Sequence, residues 1–392
     1  MAKKEKIKKK KTHRGRHKFF WWLLRPLVTL FVKIKFGYRR KVAKNLPKNY
    51  IVISNHTTDY DPLFVATSFK KQMYFVASEH ITRWKTAFKF LNYVFEPIIR
   101  YKGASASSTI MEMLRKSRNG DNVCIFAEGV RSWSGENSPV SFSTAKMVKS
   151  AKCGLVTYRI SGGYLASPNW ATGGTRHGKV WGEPVNVYTA EEIEKMTNEE
   201  LYEHIVNDIY ENAYDTQDKF NYKYKGKNLA KGIENVAFIC PECGEHDSLY
   251  SEGNDIMCSK CGNAFSYNVY GNFDNCKFKN VNELYKWQLK KLKKDVEKNV
   301  AYVVNDSTIS SVNLDHSKQE LSQGRLEMNC DKMICGDKEI NMSDITDMAI
   351  FGKRGLMLSC GKDYYEVRVI SGNALKYLLY YNQYSEIKTD EK

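Results

Sequence analysis

YIVISNHTTDYDP, residues Tyr50 to Pro62, is the stretch from which the rest of the chain is read. Tyr50 to Ser54 predict a buried strand that runs straight into a polar loop carrying His56, Asp59 and Asp61, with Pro62 opening the next helix. An open α/β sheet keeps its chemistry at such a place, the carboxyl end of a strand. On one continuous helix His56 and Asp61 would point roughly 140° apart, so only a loop lets them meet. A residue before proline is pushed out of the helical region, which suits Asp61 to the N-cap of a helix starting at Pro62. Its carboxylate then turns back to an imidazole nitrogen of His56. That contact fixes the tautomer and favours the imidazolium formed when the other nitrogen takes a proton. The competing reading is that Asp61 only caps a helix.

Working outward, apolar runs alternate with helical segments from Ala43 to about Val187. Strands are predicted at Tyr50 to Ser54, Met73 to Ala77, Val123 to Ala127, Leu155 to Arg159 and Lys179 to Trp181. Helices are predicted over Ile110 to Lys116 and Ser143 to Lys152, and a charged helical stretch over Ala190 to Phe220. This is α/β patterning. A second motif, CIFAEGVRS from Cys124 to Ser132, ends another apolar strand in Glu128, Gly129 and Arg131. The glycine permits a tight turn, the arginine matches a phosphate bidentately, and Glu128 is placed to hold Arg131 or a substrate hydroxyl. A third, VFEPIIRYK from Val94 to Lys102, sets Arg100 after a short apolar run.

Together these residues resemble the glycerolipid acyltransferase family that includes 1-acylglycerol-3-phosphate acyltransferases. Its first block, Asn-His, four residues and Asp, matches Asn55, His56 and Asp61. Its second matches Ile98, Ile99 and Arg100, and its third, Phe-Pro-Glu-Gly-Thr-Arg-Ser, matches Phe126, Glu128, Gly129, Arg131 and Ser132. Ala127 and Val130 replace the third block's proline and threonine, and Thr157 stands where a fourth block would have proline. The resemblance, over roughly residues 20–220, implies that His56 takes the proton of an acceptor hydroxyl and Asp61 orients it. It further implies that Arg100, Glu128, Gly129 and Arg131 hold a glycerol phosphate. The co-substrate is then an acyl thioester of CoA or acyl carrier protein, and the acceptor a lysophospholipid, with glycerol-3-phosphate or another lysolipid as the alternative.

The formal charge of +17 is uneven, because residues 1–17 hold seven lysines and two arginines against Glu5. Such a run is a solvated arm with affinity for anionic lipid or nucleic acid. Behind it, 13 of the 18 residues from Phe19 to Phe36 are apolar or aromatic, but Arg25, Pro26, Lys33 and Lys35 interrupt or end the run. That falls short of a spanning helix of ~20 apolar residues and predicts an interfacial segment instead. With ten cysteines and no recognisable secretory signal, a reducing compartment is expected, and with the arm and apolar segment, the cytoplasmic face of a membrane.

Cys240, Cys243, Cys258 and Cys261 form CPEC and CSKC, each followed by glycine and separated by fourteen residues that read as a hairpin. Two such knuckles fit a structural zinc, with iron the alternative. After a helix around Trp287, residues 301–386 alternate as strands before a closing helix, a pattern similar to a pleckstrin-homology-type barrel. The expected order is a basic tail (1–17), an interfacial segment (18–42), an α/β acyltransferase domain (43–220) and a linker (221–235). A zinc ribbon (236–270), a linker helix (271–300) and the β-rich module (301–386) follow. A nucleic-acid-binding zinc-ribbon protein would explain the charge and the cysteines, but not the apolar segment or the paired motifs.

Overall fold

The structure, a computed structural model, describes residues 13–100, 106–313 and 317–390. Most of the basic tail, and Tyr101 and Lys102 of the third motif, lie outside the described residues. Seven strands build the first sheet: β1 (Arg39–Arg40), β2 (Tyr50–Ser54), β3 (Met73–Ser78), β4 (Ile98–Arg100), β5 (Asn122–Phe126), β6 (Gly154–Ser161) and β7 (Trp181–Tyr188). Their spatial order is β1-β7-β6-β2-β5-β3-β4, parallel throughout except where β7 runs antiparallel to β6.

β2 lies at the centre, and all five of its residues are buried because both faces of the sheet are covered. Successive side chains of a strand point to opposite faces. Tyr50 and Val52 accordingly pack with Phe64, Phe69 and Tyr158, while Ile51 and Ile53 pack with Met113, Ala145, Val148 and Ile205. Each apolar side chain so buried contributes about 1.5–3 kcal/mol. The covering helices come from both sides of the sequence: α1 (Arg14–Phe36), α2 (Asp61–Ser68) and α3 (Thr86–Phe95), then α4 (Ala106–Arg118) and α5 (Ser143–Ala151). The short α6 (Gly163–Ala166) follows β6.

The single helical stretch expected over Ala190 to Phe220 is three helices, α7 (Ala190–Lys195), α8 (Asn198–Ile209) and α9 (Ala213–Phe220). Capping boxes at Thr189 with Glu192 and Thr197 with Glu200 start the first two afresh. The last strand also differs from expectation: it begins at Trp181 instead of ending there.

α1 has two faces. Trp21, Val32 and Phe36 are buried, and Arg25 donates to the carbonyl of Thr67 at the end of α2. The other side exposes Trp22, Leu23, Leu27, Leu30 and Ile34. Among the described residues no helix is long and apolar enough to cross a membrane.

Beyond α9 the chain is β-rich. A four-stranded antiparallel meander, β8 (Leu249–Glu252), β9 (Asp255–Cys258), β10 (Ala264–Tyr267) and β11 (Phe273–Asp274), carries the cysteine knuckles. α10 (Val281–Glu297) leads to a seven-stranded antiparallel sheet, β12 (Tyr302–Val312), β13 (Lys318–Met328), β14 (Lys332–Cys335), β15 (Lys338–Asn341), β16 (Asp347–Phe351), β17 (Gly355–Cys360) and β18 (Asp363–Val369). α11 (Leu375–Asp390) closes it. α10 joins the parts: Leu284 belongs to the core of the first two sheets, and Leu292 and Val296 to that of the third. Between them the fully buried Gln288 amide accepts from the N–H groups of Phe238 and Ile239 and donates to the carbonyl of Val236. Buried Lys376 of α11 pairs with Asp247, which precedes β8.

Candidate active site

The register of the sheet brings the sequence motifs together. Ser54 of β2 lies opposite Phe126 of β5, so His56 and Glu128, each two residues further on, leave the same sheet edge side by side. β4 runs parallel to β3 and ends at Arg100 on that same edge. Asn55 fixes the end of β2 against β6, because its buried side chain donates to the carbonyl of Ile160 and accepts from the Ile160 N–H, both at 2.8 Å.

His56 is held from several sides. Its N–H donates to Glu128 Oε1 at 2.6 Å and its carbonyl accepts from the Ser132 N–H at 3.0 Å. The imidazole stacks on Phe126, with centroids 4.4 Å apart and planes inclined by 20°. Nδ1 lies 2.9 Å from Asp61 Oδ2. Among the described residues nothing hydrogen-bonds Nε2, and the side chain is 21% exposed, so the ring's second nitrogen is available to a ligand.

Asp61 is fully buried. Besides His56, it accepts from the N–H and the hydroxyl of both Thr57 and Thr58. Five donors thus replace the water that burial removes, without which a buried carboxylate would be costly. Sequence reasoning missed both threonines. Their signal was there, since hydroxyl side chains shortly before an aspartate favour such local bonds over a regular helix. Asp61 itself is the first residue of α2, with Tyr60 at the cap position. The expected N-cap is displaced by one because the carboxylate turns back into the loop instead of forward to the helix amides. Behind the loop, a Cβ on Gly163 would come within 2.2 Å of the Thr57 hydroxyl, so only glycine lets α6 approach there.

Glu128 does not hold Arg131. Its carboxylate is buried and accepts from His56 N–H, Ser138 N–H at 2.6 Å and the Asn137 side chain at 2.8 Å. Burial pushes it up to about 8, against the pull of those donors. Asn137 in turn accepts from the Glu211 N–H at 2.6 Å, so the brace behind His56 reaches the start of α9. Arg131 pairs with Asp59 Oδ2 at 2.9 Å across the mouth of the loop. Gly129 has φ of +70°, and a Cβ there would lie 3.2 Å from Arg100 Nη1, so the turn needs glycine and the Arg100 guanidinium packs over it. Arg100, packed over Gly129, and Arg131, two residues further on, give the edge that carries His56 a basic rim.

The four cysteines converge elsewhere. Their sulfurs all lie within 4.8 Å of one another, with Cys240 to Cys261 at 3.9 Å and Cys243 to Cys258 at 3.8 Å. Zn–S bonds of about 2.3 Å in a tetrahedron put sulfurs about 3.8 Å apart, so the thiolates fit that ion. The β8–β9 hairpin holds the two knuckles at this spacing.

Residues 37–161 match the family model described as Acyltransferase. Among solved structures, the crystal structure of the 1-acyl-sn-glycerophosphate (LPA) acyltransferase PlsC from Thermotoga maritima is similar at 16% identity, covering 54% of this chain and 84% of that one, with a TM-score of 0.43. No curated protein matches.

Proposed function

We propose, from the acyltransferase domain that residues 37–161 form, that this O-acyltransferase moves a fatty acyl group from a thioester of CoA or acyl carrier protein to the free hydroxyl of 1-acylglycerol-3-phosphate, giving phosphatidic acid. The observation that carries the reading is the 2.9 Å contact between His56 Nδ1 and buried Asp61, which leaves Nε2 as the open proton acceptor. In that scheme Nε2 takes the hydroxyl proton as the oxygen attacks the thioester carbonyl. Asp61 stabilises the imidazolium. When the carbon–sulfur bond breaks, the proton passes to the departing thiolate, so no protein nucleophile is needed. Arg100, Gly129 and Arg131 hold the acceptor phosphate, and Glu128 fixes the backbone from which His56 projects.

The exposed apolar face of α1 supports a place at a membrane surface, and the basic run of residues 1–17 with the ten cysteines is why that surface is read as anionic and cytoplasmic. The opposite face of α1 packs on α2, the helix that begins with Asp61, so lipid bound there lies close to the site. The cysteine cluster is read as a structural zinc, and the third sheet with α11 as a pleckstrin-homology-like module, on strand order and closing helix alone. Elemental analysis should give one zinc per chain, and a folded, metal-free preparation would refute the site.

Purified protein offered 1-acylglycerol-3-phosphate, glycerol-3-phosphate and an uncharged lysolipid, each with acyl-CoA and acyl carrier protein donors, tests the function. The first acceptor should be used best, and His56→Ala should lower turnover ~10²–10⁴-fold without loss of fold. A folded His56→Ala with near-normal turnover would overturn the mechanism, and preference for glycerol-3-phosphate would move the acceptor.

A further inference from the structure

The turn between β16 and β17 reaches across from the third sheet to the neighbourhood of the basic rim. It lines a cleft of about 590 Å³ where the first sheet's domain, the cysteine-bearing sheet and the third sheet meet. Clefts of this size between structural units are common places for organic ligands. The lining is lopsided in charge. Lys231, Lys353, Arg354 and Arg368 contribute four cations against Glu234 and Glu366, and Glu366 is already paired with Lys318 at 2.6 Å.

Lys353 links this cleft to the acyl-transfer site. Its ammonium donates to the carbonyl of Ala171. Two residues earlier, the buried Asn169 side chain donates to the carbonyl of Arg131 at 3.4 Å, so Lys353 and Arg131 are tied to one short segment. The charges acting on Lys353 are Arg131 and Asp59 from the rim and Glu234 from the cleft, so its ammonium feels both places. Burial, and then the repulsion of Arg131, push the lysine down to about 8. A half-buried cation beside a second cation is stabilised by an anion placed between them.

We propose that this cleft is an anion-binding extension of the acyl-transfer site that takes the phosphate of a phosphate-ester substrate, with Lys353 positioning that phosphate alongside Arg131. The ligand chemistry has two sources in an acyl transfer: the phosphomonoester of the acceptor and the nucleotide phosphates of a CoA thioester. The choice of ligand rests on the acyl-transfer reading; the cleft and its charge do not. A residue of the C-terminal sheet would then contribute to substrate selection, which gives that sheet a role in the reaction.

Calorimetric titration of the full chain separates the cases, with glycerol 3-phosphate standing for the acceptor head and adenosine 3′,5′-bisphosphate for the donor head. One probe should bind about ten-fold or more weakly to Lys353→Gln, as expected for a lost charge-assisted contact, and recover most of its affinity in Lys353→Arg. The probe affected identifies the source. Arg368→Gln, on β18 beside the β16–β17 turn, should weaken the same probe and keeps the test open if Lys353→Gln melts early. Unchanged affinity of both probes in folded Lys353→Gln and Arg368→Gln, or no binding of either to the wild-type chain, would overturn the proposal. Because titration needs no turnover, a wild-type chain that binds a probe through Lys353 yet transfers no acyl group would refute the acyl-transfer reading and leave the cleft standing.

Discussion

His56 and Arg131 leave the same edge of the same sheet, yet the structure holds them in opposite ways. The histidine is tied at its N–H, its carbonyl, one ring face and Nδ1, and the carboxylate it leans on takes five donors. Among the described residues the arginine has one ion pair, with an Asp59 side chain that is 75% exposed, and Arg100 at the end of β4 is exposed as well. The difference matches the two tasks proposed for them. Proton transfer fails when the base is misplaced by a fraction of an ångström, whereas a long guanidinium can be ordered by the anion it binds. Asp59 meanwhile occupies the guanidinium that a phosphate would take.

Breaking the fixed side should have the largest effect. Asp61→Asn keeps the shape but removes the charge beside Nδ1 and turns an NH₂ group towards donors that in the wild type meet an acceptor. Turnover should fall ~10²–10⁴-fold. The melting temperature should fall as well, because a buried donor left unpaired costs about 1–3 kcal/mol. A variant with normal turnover would show that His56 works without its carboxylate and would erase the contrast.

The adaptable side should respond differently. Arg131→Lys keeps the charge but gives up the two-pronged contact, so the KM for a phosphate-bearing acceptor should rise about ten-fold while that for the thioester stays near its wild-type value. Stability should hardly change, since an exposed ion pair contributes about 0–1 kcal/mol. Equal effects on both substrates, or a clear loss of stability, would make Arg131 structural and close the gap between the two sides.

The same contrast governs what could be read from the sequence. β2 was legible to the residue because a short apolar run entering a polar loop has few other readings, and β2, β4 and β5 being parallel then put three motifs on one edge. The partners of the side chains were harder. Glu128 was expected on Arg131, three residues away, or on a substrate hydroxyl, but it bonds to His56, seventy-two residues away, because strand register and not sequence distance sets that contact. The Thr57 and Thr58 clamp was local and still missed, as it competes with the helix cap expected of Asp61. Lys353 lay beyond reach, since nothing in its own surroundings signals the Ala171 carbonyl 182 residues earlier. The starts of α7 and α8 were recoverable, since each Thr-x-x-Glu pair marked one.

The smallest expected effect asks whether the brace behind His56 works charged or neutral. Burial raises Glu128 to about 8 from an ordinary 4.5, while three donors at 2.6 to 2.8 Å favour the carboxylate. If burial dominates, the folded chain keeps a proton here between pH 4.5 and 8 that the unfolded chain has released. Stability must then fall as pH rises through that window, because the native state binds more protons, and level off above it. Glu211, raised to about 7 by its own burial, adds a slope of the same sign, so the wild-type curve alone cannot isolate Glu128. Glu128→Gln can. The amide does not titrate, and its NH₂ group faces the Ser138 N–H, so the variant should melt below wild type at pH 5 and the gap should narrow as pH approaches 8. A gap that stays constant from pH 5 to 8 would mean that the donors outweigh burial and that the brace is a carboxylate.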